Sequence, residues 1–98
     1  MGLDITDRGA LEKIIEARIQ EIPKLLQIFR TEEIKSRLQI SYPEEFCYGN
    51  MHGRIFGEFT VYYFSTHKIT MPDDDVKELG EILEKRSREI KDAIFNCG

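Results

Sequence analysis

Arg54-Ile55-Phe56-Gly57-Glu58-Phe59-Thr60-Val61-Tyr62-Tyr63-Phe64 holds five of the ten aromatic residues of this 98-residue chain, and its reading decides the fold. Aromatic and β-branched side chains of this kind are enriched on pleated surfaces. Taken with a period of two, Ile55, Phe59, Val61 and Tyr63 point to one face. Phe56, Glu58, Thr60, Tyr62 and Phe64 point to the other. Both faces hold aromatics, so a strand here is expected to be covered on both sides.

Outward from this segment, Gly49-Asn50 and His52-Gly53 read as turns. They flank a short candidate strand, Glu45 to Tyr48. Ser65-Thr66-His67-Lys68 reads as a loop, and Ile69 to Met71 as a third short strand. The middle of the chain is thus expected to be a small antiparallel sheet over residues 45–71.

The flanks are helical in pattern. Leu11, Ile14, Ile15, Ile19, Ile22, Leu26 and Phe29 recur at steps of three and four, one apolar stripe on a 3.6-residue period. Thr6 or Asp7 is the expected cap, and Pro23 is expected to kink or break the helix near residues 19–22. Thr31, followed by Glu32 and Glu33, starts a second short helix through Ile34 and Leu38. Tyr42-Pro43 ends it. After Pro72, Asp73-Asp74-Asp75 place acids in the first turn of a helix that runs to Phe95, about 35 Å at 1.5 Å per residue. Val76, Leu79, Leu83, Ile90 and Ala93 form its apolar side. The expected fold class is therefore α+β: one two-layer domain over residues 1–98, its helices packed on an antiparallel sheet. The expected core is Leu11, Ile15, Ile19, Ile22, Leu26, Phe29, Phe59, Val61, Tyr63, Val76, Leu79, Leu83 and Ile90.

Composition narrows the function classes. With 41% hydrophobic and 33% charged residues, the chain belongs with folded globular proteins. No apolar run approaches the roughly 20 residues that span a bilayer. Met1 to Asp7 carries acids and lacks the basic-then-apolar order of a secretory leader, so the expected compartment is the cytoplasm. A net charge of −4 disfavours general nucleic-acid affinity, which needs a basic surface. Isoleucine far outnumbers valine, Asn and Gln are few, and Glu, Lys and Arg are many, a thermophile-like composition.

Candidate chemistry is sparse. Cys47, His52 and His67, with Cys97, are residue types that ligate zinc. Their spacing matches no closed site, and turn histidines usually face solvent. Cys47 beside a histidine has the makings of a nucleophile and its base, but an orienting group and an oxyanion site are also required. Asp73-Asp74-Asp75 lacks the alternating acids and glycine of a calcium loop; helix capping accounts for it. Gly49-Asn50-Met51-His52-Gly53 lacks the lysine of a phosphate loop. The aromatic segment resembles a base-stacking sheet without its basic surroundings.

The favoured expectation is a non-catalytic, homodimeric interaction or structural module without metal or cofactor. Its dimer contacts are expected at Phe56, Tyr62, Phe64, Leu83 and Ile90. The first alternative is a winged-helix DNA-binding regulator: Thr31–Gln39 and Tyr42–Gly53 as the helix-turn-helix, and 54–71 as the wing. Its recognition segment carries Pro43, two acids and two glycines, and no Lys or Arg to reach base edges. The second alternative is a small enzyme or metal protein using Cys47, His52 and His67.

Overall fold

A computed structural model describes residues 2–97. Among them there are four helices and no strand: α1 (Ile5–Phe29), α2 (Glu32–Leu38), α3 (Pro43–His67) and α4 (Asp73–Phe95). The α+β expectation is thereby overturned. Residues 43–67, read as strands and turns, are one continuous helix. Ile69 to Met71 is a loop between helices rather than a strand.

The reason lies in a spacing of four. Cys47, Met51, Ile55, Phe59 and Tyr63 are the buried residues of α3, each one helical turn beyond the last. A helix places residues i and i+4 on neighbouring positions of one face. A strand would instead bury alternate residues, and Val61, assigned to the buried side by alternation, is 66% exposed. Pro43 occupies the first turn, where its missing N–H costs no hydrogen bond, so it starts this helix as well as following α2. Lys68 closes α3 in the left-handed conformation, with φ 62°, its N–H donating to the Phe64 carbonyl.

α1 is stapled at its start by Asp4, whose side chain accepts the Asp7 N–H at 2.7 Å. The cap therefore falls before Thr6 and Asp7. The helix runs through Pro23 without interruption; the carbonyl one turn back, of Ile19, forgoes its ladder donor there. Thr31 caps α2 as its sequence suggests, accepting from Ile34. α4 spans the expected residues, but Pro72 is its cap residue and no side chain bonds to its first turn.

α3 packs most extensively on α1, then on α4, and α1 also meets α4. These three form the body, with α2 as a connector that buries no residue, and the chain measures 45 × 24 × 18 Å. A row at four-residue spacing drifts by about 40° per step around a 3.6-residue helix. Over the sixteen residues from Cys47 to Tyr63 the buried row therefore winds around α3, which lets one helix serve two neighbours. The core joins Leu11, Ile15, Ile22, Leu26 and Phe29 of α1 to this row and to Leu79, Leu83, Ile90 and Ile94 of α4. Leu3 and Ile40 close it from the connecting segments. Of the expected core, Ile19 and Val76 are only half-buried and Val61 faces out. Cys47, Met51 and Ile55 take the places that the sheet reading left unfilled.

Candidate functional site

Two features of this bundle have the makings of a site. The first is a polar pocket at one end, where the start of α1, the last turn of α3 and the start of α4 meet. Gly2, Asp4, Asp7, Tyr63, His67, Pro72, Asp74 and Asp75 line a cavity of about 420 Å³. Asp7 and Asp75 are the buried polar residues of the core, 3% and 5% exposed. Buried carboxylates need partners, and α3 supplies them from consecutive residues. Tyr62 donates its hydroxyl to Asp7 Oδ1 at 3.0 Å, and Tyr63 donates to Asp75 Oδ2 at 2.6 Å. His67, one turn beyond Tyr63, sets Nε2 3.0 Å from both Asp7 oxygens and rests its ring 4.3 Å from that of Tyr63.

These bonds hold both phenols neutral. The Tyr63 hydroxyl is pushed from 10 up to about 12 by its bond to Asp75 and then by burial. Burial, and next the bond to Asp7, push Tyr62 upward too. A phenol whose folded pKa exceeds its unfolded one stabilises the fold below the unfolded value, and the contribution disappears as pH rises through the folded value. Stability should therefore fall steeply between pH 10 and about 12. Tyr63→Phe is expected to flatten that fall, and urea-unfolding midpoints across this range check it. An unchanged alkaline slope would show that the Tyr63–Asp75 bond is not linked to folding.

The residues singled out as zinc candidates do not converge. Cys47 is buried in the core near the start of α3, where desolvation raises its thiol above the ordinary range. His52 leans on Tyr48, with Ser87 of α4 3.5 Å away; burial lowers its pKa. His67 stands about 22 Å along the helix from His52, at 1.5 Å per residue. Cys47 and Cys97 are both free thiols. His67 instead meets Asp4 and Asp7, and one ligating atom from each lies within 4.8 Å of the others. From the sequence, Asp7 is only a capping candidate. The available signal was an Asp-x-x-Asp pair one turn apart at a helix start.

The second feature is the side of α3 turned away from α1 and α4. Phe56 and Phe64 are 43% and 54% exposed there, interleaved with Gly49, Gly53 and Gly57; Phe46, 39% exposed at the edge of this face, also packs edge-on against Phe29 of α1, ring centroids 5.0 Å apart. A Cβ added at any of these glycines meets nothing within 4 Å. The charges of α3 within this span are drawn to its α1 flank, Arg54 to Glu21 at 3.0 Å and Glu58 to Arg18 at 3.4 Å. Beside the face lies an apolar groove lined by Ile14, Gly57, Glu58, Val61 and Tyr62. Phe56 and Phe64, expected at a dimer contact, are on this open face, and Tyr62 is half-buried beside it. Leu83 and Ile90 are enclosed in the core of the single chain. The wing required by a winged-helix reading is absent, because residues 54–67 are helical.

Comparison with known proteins finds no matching family model, no matching curated protein and no matching solved structure. What is defined is the class: an all-α chain of four helices among the described residues. None of those helices is long and apolar enough to cross a membrane.

Proposed function

We propose that the chain is a homodimeric interaction module whose contact surface is the open face of α3, the second copy lying antiparallel across it. The carrying observation is the order Phe46, Gly53, Gly57, Phe64, which has steps of seven, four and seven and reads the same from both ends. A two-fold interface is self-complementary: if residue i meets j, then j meets i. An antiparallel pair centred at the level of Ile55 sets Phe46 against Phe64 of its copy and Gly53 against Gly57. Glycines at the centre let the backbones approach, because interaxial distance depends on the side chains at the contact. The aromatic rings then close the two ends, and the uncharged face requires no ion to be desolvated.

From Phe46 to Phe64 the face is about 27 Å long and about 10 Å wide. That is roughly 300 Å² per copy, well below the roughly 800 Å² of a standard stable interface. The association is accordingly weak and reversible. Sedimentation equilibrium should reveal a concentration-dependent dimer, and Phe46→Glu or Phe64→Lys alone should weaken it at least tenfold. Mixing the two variants restores it, since the antiparallel register sets the introduced carboxylate of one copy beside the introduced ammonium of the other. A strict monomer at about 1 mM, an affinity no better than about −4 kcal/mol, would refute the proposal. A mixture no tighter than either variant alone would refute the register.

A further inference from the structure

We infer that Asp4, Asp7 and His67 form a binding site for a divalent metal ion of the zinc class, at the end of the bundle where α1 begins and α3 ends. The ligand set is one imidazole and two carboxylates, which supply the nitrogen and oxygen donors that zinc takes. Three protein ligands leave a fourth position open toward the pocket. His67 Nε2 is 3.0 Å from each Asp7 oxygen. Since a carboxylate only accepts, that nitrogen carries the shared hydrogen. To ligate the ion, the imidazole takes the tautomer with its hydrogen on Nδ1, which frees the Nε2 lone pair for the metal. The three ligating atoms already lie within 4.8 Å of one another. Two ligands at about 2.0–2.2 Å from one ion are at most about 4.4 Å apart, so a small rotamer movement closes the set.

Two further observations point to a cation. Asp75, almost as buried as Asp7, faces the same pocket. With Asp4 the pocket gathers three carboxylates around His67. Buried carboxylates are compensated by a cation or by hydrogen bonds. Here hydrogen bonds do so: Asp75 accepts from the Tyr63 hydroxyl, and Asp7 accepts from that of Tyr62 and from His67, the group that a metal ion would turn to itself. Those hydroxyls are also where an outer shell belongs: Tyr62 holds the ligand Asp7 at 3.0 Å, as the partners that orient metal ligands do.

The full-length chain, stripped with chelator and dialysed, should take up one Zn²⁺ per chain in a calorimetric titration and unfold at a higher temperature with the ion than without it. His67→Ala should weaken uptake at least tenfold. His67→Gln, which keeps a polar head toward Asp7, does the same and guards against a variant that misfolds. Tyr62→Phe should weaken uptake by about 10- to 100-fold, the usual cost of losing an outer-shell partner. Cys97→Ser should change nothing, and Co²⁺ in place of Zn²⁺ should give a visible spectrum without a thiolate charge-transfer band. No uptake by the folded wild-type chain, uptake unaltered in both His67 variants, or uptake lost with Cys97→Ser would each overturn the site. The dimer proposal is unaffected by any of these results.

Discussion

Phe59→Ala is expected to lower the stability of this chain by about 3–5 kcal/mol, the range for removing a large aromatic from a packed core. Phe59 is wholly buried near the middle of α3. Its ring lies 5.5 Å from that of Tyr62 and 6.3 Å from that of Tyr63, the two residues that reach the buried aspartates. The loss therefore combines an unfilled cavity with looser support for the Tyr62–Asp7 and Tyr63–Asp75 bonds. A domain of this length has roughly 5–15 kcal/mol in total, so the variant should stand near its unfolding threshold at growth temperature. Denaturant unfolding followed by circular dichroism gives the number. Val61→Ala, two residues on but open to solvent, should change stability by less than about 0.5 kcal/mol, as surface substitutions do. A strand with Phe59 and Val61 on the same buried face would make both variants costly. The pair thus discriminates helix from strand in a single experiment.

Replacing Gly49, Gly53 and Gly57 together by alanine has the opposite expected sign. Each glycine lies inside α3, and the added methyl has open space. Alanine in an exposed helix interior is favoured over glycine by about 0.5–1 kcal/mol. The triple variant should then gain about 1.5–3 kcal/mol, or of the order of 10 °C in midpoint for a domain of about 100 residues. The measurement belongs on dilute protein, where association adds nothing to the folded state. A loss of stability would mean that these glycines meet neighbours in the folded chain. The dimer proposal gives these helical glycines a role that offsets this cost.

What the sequence revealed depended on how many signals agreed. In α4, the proline, the three acids and the apolar spacing all point the same way, and its bounds, Asp73 to Phe95, were legible in full. In α1 the apolar stripe was legible through Pro23, but the cap falls at Asp4 rather than at Thr6 or Asp7 and the expected break does not occur: packing of Ile22, Leu26 and Phe29 in the core outweighs one lost hydrogen bond. In α3 the signals conflict. Aromatic and β-branched residues favour a strand, glycines favour turns, and the open face is itself apolar, so no polar stripe marks a helix side. The four-residue row Cys47, Met51, Ile55, Phe59 and Tyr63 was present but masked by Phe56 and Val61 between its members and by Phe64 just beyond them. The polar pocket was illegible for a different reason. Asp7 and His67 are sixty residues apart, and only the packing of α3 on α1 brings them together.

The conflict inside α3 has a consequence for the chain when it is not folded. Its local preferences are extended, its glycines weaken any isolated helix, and its helical state is imposed by α1 and α4. Released from them, residues 59–64, Phe-Thr-Val-Tyr-Tyr-Phe, are uncharged, free of proline and glycine, and rich in β-formers, the pattern that stacks into intermolecular sheets. Heated chains should therefore aggregate through this segment faster than they refold, and their working lifetime is set by the rate at which α3 is let go.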